Sequence, residues 1–331
     1  MACIPSKSEE SAIEVSPENV SSENLEDFIR TLQTREGWSQ PMVLYKNYWC
    51  RPHLVGKIIL LQDIFKPRSS DIILATQPKC GTTWLKALAF TIINRSRYSF
   101  SDHPLLSSNP QYLVPFIEIP DPGRDHAYLE TLPSPRLLST HLPLSMLPSE
   151  TSSCCCRIVY LCREPKDAFV SRWHFENKIV KGSNIELNKA LDMFCEGFSP
   201  SGPFWNHCLE YWKESLVRPN EVLFLKYEGI KSHPEESVRQ LAKFLGVPFT
   251  AEEESSGVAQ EVVKLCSFEN LTSLKVNQTG GVDHGNKIFV ENSVFFRKGS
   301  VGDWANHMSE DMAEKLDRVV GEKLKGSGLA F

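Results

Sequence analysis

Four unbroken apolar runs punctuate the chain, at residues 72–75 (IILA), 136–140 (RLLST), 156–162 (CRIVYLC) and 221–225 (EVLFL). Runs without alternation are what strands buried on both faces require. Between them the pattern changes to helical spacing, beginning at Trp84 and again over 188–195, 204–216, 235–245 and 308–324. In 235–245, Val238, Leu241, Phe244 and Leu245 fall on one face. A short helix is expected at 25–32. Strands alternating with helices predict an α/β protein with a mostly parallel central sheet flanked by helices. Residues 1–20, rich in Ser and Glu, predict a disordered tail. No repeat or linker divides the remainder, so 21–331 reads as a single domain. Aromatics and prolines in 38–67 predict a cover for one flank of the core. Residues 99–135, proline-rich and aperiodic, fit a substrate-lining segment, and polar, glycine-containing 277–294 fits a mobile flap.

Composition narrows the function. The chain has 331 residues, 41% apolar and 23% charged, with a formal net charge of −5. That balance argues against a general nucleic-acid or membrane-surface binder while leaving room for a local basic pocket. No apolar run approaches the ~20 residues of a membrane helix. The acidic start lacks a signal-peptide core, so a cytoplasmic location is expected. Ten cysteines are scattered, three of them adjacent at 154–156, with no paired C-x-x-C motif. Reduced thiols and no metal site are the expectation.

The chemistry gathers where the strands end. After the first run comes Gln77-Pro78-Lys79-Cys80-Gly81-Thr82-Thr83 and then the helix. Gly81 permits close approach to a ligand, and the unpaired amides of a first helical turn attract anions. The lysine precedes the glycine, so the order differs from a Walker A loop, and GxxxxGK[ST] occurs nowhere. His141 follows the second run, at the strand end where open parallel sheets place ligands. Arg163 follows the third, offering a fork to a phosphate, with the Ser171 hydroxyl two turns along a helix begun at Pro165. Tyr227 follows the fourth. Arg297-Lys298-Gly299 sets two cations beside a glycine amide.

Together these segments resemble the soluble sulfotransferases that use 3′-phosphoadenosine 5′-phosphosulfate (PAPS), over residues 38–326. The carriers are PKCGTTW (78–84), THLP (140–143), REPKD (163–167) with Ser171, KLCSFENL (264–271) and RKGSVGDW (297–304). STHLP, KLCSFENL and the lack of a KxxxTVxxxE segment after Trp304 are similar to the plant cytosolic type. The resemblance implies a P-loop-like nucleotide-binding fold and transfer of a sulfuryl group to a hydroxyl. The acceptor would be a small hydrophobic plant metabolite such as a flavonoid, brassinosteroid or hydroxyjasmonate. His141 would act as general base and Lys79 would stabilise the leaving phosphate, without a metal. Lys79, Cys80, Gly81, Thr82 and Thr83 would hold the 5′-phosphate, and Arg163, Ser171, Arg297, Lys298 and Gly299 the 3′-phosphate. Trp84, Tyr227 and Phe268, with Cys266 beside them, would hold the adenine, while Phe116, His141 and Phe175 meet the acceptor. It also implies a monomer, or a weak dimer not of the animal type. Three positions depart from patterns in the family: Ser139 where the animal type often has a lysine, Glu164 in place of the usual Asn, and Cys266 where many relatives carry Thr. Two other classes remain: a catalytically idle protein that binds the donor nucleotide, and a P-loop-type ATP-dependent kinase.

Overall fold

A computed structural model describes residues 22–119, 127–180, 182–283 and 289–331, so the expected tail over 1–20 lies outside the described residues. Four strands form the central sheet: β1 (Ile72–Thr76), β2 (Leu137–Thr140), β3 (Arg157–Cys162) and β4 (Val222–Lys226). They lie in the order β2-β1-β3-β4, and every pairing is parallel. Each expected run is a strand, displaced by no more than a residue at either end.

The side chains explain the unbroken runs. In β1, Ile73 and Ala75 join one buried cluster while Ile72 and Leu74 join another on the opposite face. In β3, Ile158, Tyr160 and Cys162 face the first cluster, and Val159 and Leu161 face the second. Both faces are covered, so neither parity tolerates a polar residue. At the entry end of the sheet, Arg136 grips Asp71 through two hydrogen bonds of 2.9 and 2.6 Å, with both side chains fully buried. Removing one partner of such a pair costs about 3–5 kcal/mol, since the other is left as an unpaired buried charge.

The strands all point towards one end of the molecule, where the site residues follow them. Helix α1 (Pro52–Ile64) falls in the stretch read as a flank cover and was not anticipated as a helix. Its apolar residues run nearly all round, which hides the helical period. A hairpin, Met42–Tyr45 with Tyr48–Cys50, leads into it. Helix α2 (Thr82–Asn94) begins two residues before Trp84, directly after Gly81. Helix α3 (Pro165–Ile179) is N-capped by Glu164, whose side chain accepts from the Asp167 amide at 2.9 Å. The departure from Asn at 164 therefore keeps a capping side chain. Two helices, Phe204–Val217 and Glu310–Leu324, bring buried residues to the first cluster, and Pro234–Phe244 brings them to the second.

The proline-rich segment is not wholly irregular. It holds short helical turns, including Pro110–Leu113, and Phe116 bridges in parallel to Ser139, which extends the sheet beyond β2. The stretch expected as a flap contains a hairpin, Gly281–Asp283 with Phe289–Glu291. All nine described cysteines are free. No helix of the described residues is long and apolar enough to cross a membrane.

Candidate active site

A cavity of about 780 Å³ opens at the exit ends of the four strands. Most of the residues singled out in the sequence line it: Lys79, Gly81, Thr82, Thr83, Trp84, Phe116, His141, Arg163, Ser171, Phe175, Tyr227, Phe268, Arg297, Lys298 and Gly299. Two do not. Cys80 and Cys266 are fully buried and point away, Cys80 into the first core cluster and Cys266 into the second, 3.4 Å from the Thr91 hydroxyl. The Cys80 amide is also committed, donating to the Gln77 carbonyl at 3.1 Å within the turn.

The loop between β1 and α2 needs unusual backbone. Lys79 has φ +76°, and Gly81 has φ +108°, in the region that favours glycine. A Cβ at Gly81 would stand 2.8 Å from the Tyr227 ring, so that position is closed on steric grounds as well. The Lys79 ammonium lies 4.2 Å from the Phe175 ring centroid. Burial, followed by repulsion from Arg172, Arg297 and Arg163, lowers Lys79 to about 7. An anion among these cations would reverse that repulsion.

His141 is held from behind. Its Nδ1 sits 2.9 Å from the Thr76 carbonyl and 3.2 Å from the Thr76 hydroxyl, which also contacts Thr82 Oγ1 at 2.6 Å. A carbonyl only accepts, so Nδ1 carries the proton and Nε2 keeps its lone pair. The His141 amide donates to Glu118 Oε1 at 2.7 Å, and His207 Nε2 reaches the His141 carbonyl at 3.1 Å. Burial, against the pull of the Thr76 carbonyl and aided by Lys86 and Arg172, lowers His141 to about 3. An ordinary imidazole titrates near 6.5. The enclosed pocket instead keeps it neutral.

On the opposite side, α3 and the 297–304 loop are tied together. Asp167 accepts from the Gly302 and Trp304 amides at 2.8 and 3.0 Å, and Arg163 donates to the Ser300 carbonyl at 2.8 Å. Arg297 pairs with Asp303. Burial alone would raise Asp303, but hydrogen bonds from Arg297 and Asn306 outweigh it and bring the carboxyl to about 2. Gly299 has φ +64°, and a Cβ there would lie 2.3 Å from the Phe268 ring. Trp84 and Tyr227 meet edge to face at 5.2 Å, and Arg163 lies 4.6 Å over the Tyr227 ring.

Several residues in or behind the cavity were given no role in the sequence. Asp167 closes the REPKD segment, Arg172 follows Ser171, and Thr76 is the polar terminus of an apolar strand. Those signals were available. Gln111, which donates to Thr83 Oγ1 at 2.8 Å and accepts from Lys86 at 2.7 Å, had no signal, because the fold alone brings it there. Glu118 was a lone acid in an apolar stretch; burial raises it to about 7, against the lowering pull of the His141 amide. Ser139 is fully buried and donates its hydroxyl to the Pro115 carbonyl at 3.1 Å. A lysine reaches the neighbourhood from α2 instead: the Lys86 ammonium stands 3.5 Å from the Phe116 ring centroid.

Comparison with known proteins finds relatives over most of the chain. The family model described as the sulfotransferase domain matches residues 69–328. Cytosolic sulfotransferase 5 of Arabidopsis thaliana is 44% identical over 299 residues, covering 87% of this chain and 90% of its own. A crystal structure of an Arabidopsis thaliana sulphotransferase superposes with a TM-score of 0.73 at 38% identity, covering 96% of this chain and all of that one. A mouse sulfotransferase complexed with PAP superposes at 0.68 with 26% identity, covering 86% and 95%.

Proposed function

The chain belongs to the sulfotransferase family and is of the plant cytosolic type, and from that premise we propose that it moves a sulfuryl group from PAPS to a hydroxyl of a small hydrophobic plant metabolite. The observation that carries the reading is the Nδ1 contact of His141 with the Thr76 carbonyl, which leaves an unprotonated Nε2 for a cavity that also contains Lys79.

His141 Nε2 takes the acceptor's hydroxyl proton as that oxygen attacks sulfur, and the bond from sulfur to the bridging phosphate oxygen breaks in line with the attack. Lys79 meets the charge gathering on that oxygen, and Thr82, Thr83 and the loop amides hold the phosphate. Arg163, Ser171, Arg297, Lys298 and Gly299 clasp the 3′-phosphate, which selects this nucleotide over ordinary adenylates. Trp84 and Phe268 flank the adenine above Tyr227, and Phe116 and Phe175 line the acceptor's approach. Cys80 and Cys266 contribute packing alone, since their side chains face the core.

We read the reaction as metal-free, because lysine and arginine supply the positive charge where the phosphates would lie. Residues 21–331 act as one catalytic domain in the cytoplasm, as a monomer or a weak dimer. Incubating the protein with labelled PAPS and a plant-metabolite extract, then weighing the products, tests the whole reading. Sulfated product that persists with a chelator present is expected. Donor binding without transfer to any hydroxyl would favour the idle nucleotide binder.

A further inference from the structure

The His141 end of the cavity holds cations that donor binding does not employ. Arg51, directly before α1, has only 15% of its side chain exposed and lines the cavity. Its guanidinium gives one hydrogen bond, 2.9 Å to Glu176 Oε2, and its other N–H groups meet no partner among the described residues. Glu176 is shared: Arg172 holds its second oxygen at 3.2 Å. Two guanidiniums thus divide one buried carboxylate, which leaves positive charge over. Lys57, further along α1 on the same wall, is half-buried and has no ion-pair or hydrogen-bond partner among the described residues.

The helix sets this charge beside an apolar strip. Leu54 and Ile58 lie four apart on α1, as do His53 and Lys57, and all four line the cavity. Residues at that spacing share a helix face, so an apolar ridge and a polar ridge that carries the Lys57 ammonium run side by side along one wall. A guanidinium with N–H groups in a fixed fork suits a planar carboxylate, and Lys57 adds a mobile point charge. A wholly neutral, hydrophobic acceptor would desolvate these cations without compensation.

We propose that the acceptor carries a carboxylate at the end away from its reacting hydroxyl, and that Arg51 with Lys57 holds it. The assignment rests on the reading that the His141 end receives the acceptor. Apolar carbon spans the interval along Leu54 and Ile58, so the substrate class is a hydroxylated, amphipathic carboxylic acid.

Calorimetric titration of the full chain loaded with PAP tests this, using 4-hydroxyphenylalkanoic acids with two to six methylenes and their methyl esters. The best acid should bind about 10-fold or more tightly than its ester, the yield of one charge-assisted contact. Added salt should narrow that ratio. Arg51→Gln should bring the ratio close to one, and Lys57→Met should reduce it by a few fold. Arg51→Gln deprives Glu176 of a partner and can unfold the chain, whereas Lys57→Met breaks no contact and keeps the test readable. Equal affinity of acid and ester at every length, or no binding of either at millimolar concentration, overturns the proposal. So does an acid preference unchanged in both variants. Weaker PAPS binding in Arg51→Gln with PAP binding and the acid ratio unaltered would assign the cation to the donor's sulfuryl group, which also overturns it. Sulfation of neutral 2-naphthol from PAPS is scored separately: failure of all transfer would overturn the proposed reaction while the binding ratio still reports on the carboxylate site.

Discussion

At the end of the cavity proposed for the donor, cations are braced before any ligand arrives. Arg163 rests on the Ser300 carbonyl and Asp167, Arg297 rests on Asp303, and Asp167 also takes two amides of the loop that carries Arg297. At the acceptor end, Arg51 is held once and Lys57 is not held by any described residue, and the walls are contributed by α1, the Phe116 segment and the hairpin near residue 290. The difference separates two tasks. A fixed nucleotide rewards preorganised charge, since each arm is already positioned. An acceptor varies in shape, and a wall of weakly tethered side chains adapts to it.

The largest effect expected is at the junction of the two ends. His141→Ala should reduce turnover by about 10²–10⁴-fold while donor affinity, set at the other end, stays as it was. Rapid-mix turnover beside equilibrium binding measures both. Normal turnover per folded molecule would remove His141 from the chemistry. Next come the braced arms. Arg163→Ala and Arg297→Ala should each weaken PAP by about 10–100-fold, the worth of a charge-assisted bond, and barely alter an analogue without the 3′-phosphate. Equal losses for both ligands would make the bracing purely structural.

Gly299→Ala sharpens the same end differently. The left-handed backbone costs a non-glycine residue about 1–2 kcal/mol, and the added Cβ must displace the Phe268 ring. Weaker nucleotide binding with a lowered melting temperature is the expected pair of results, and unchanged affinity would mean that Phe268 does not hold the base. Lys79 gives a subtler readout. Held near 7 by burial and neighbouring cations, it is mostly neutral at pH 8 in the empty cavity. A bound phosphate restores its charge, so PAP binding at pH 8 should take up a fraction of a proton, seen as buffer-dependent binding heat. Lys79→Met should abolish that uptake.

The smallest effect lies at the acceptor end. Glu118 is raised from 4.5 to about 7, so its contribution is complete below the unfolded value and fades as pH rises through 7. Glu118→Gln should therefore flatten the fall in melting temperature between pH 5 and 8. His141, lowered to about 3, works in the opposite sense: its unfolded form binds protons below 6.5, so stability is lost as pH falls from 6.5 towards 3. Following both mutants across pH 3–8 distinguishes the two.

What the sequence determined by itself is the sheet and the gathering of its strand-end residues around one cavity. A strand buried on both faces must be apolar throughout, so the four runs were visible, and the loop that leaves each one is fixed in place by its strand. Lys79, Arg163 and Tyr227 are legible for that reason, while the 297–299 segment, which leaves no sheet strand, was legible from its pair of cations beside a glycine. Tertiary structure decided the rest. Cys80 and Cys266 adjoin site residues in sequence, yet the turn and the helix end direct both into the core. Gln111 lies 28 residues from Thr83, Glu118 23 from His141 and Arg51 125 from Glu176, and only packing of an irregular segment and of α1 against the sheet edge brings them inside. The protonation states followed as well, since the desolvation that keeps His141 neutral and draws Lys79 towards 7 comes from enclosure by distant parts of the chain.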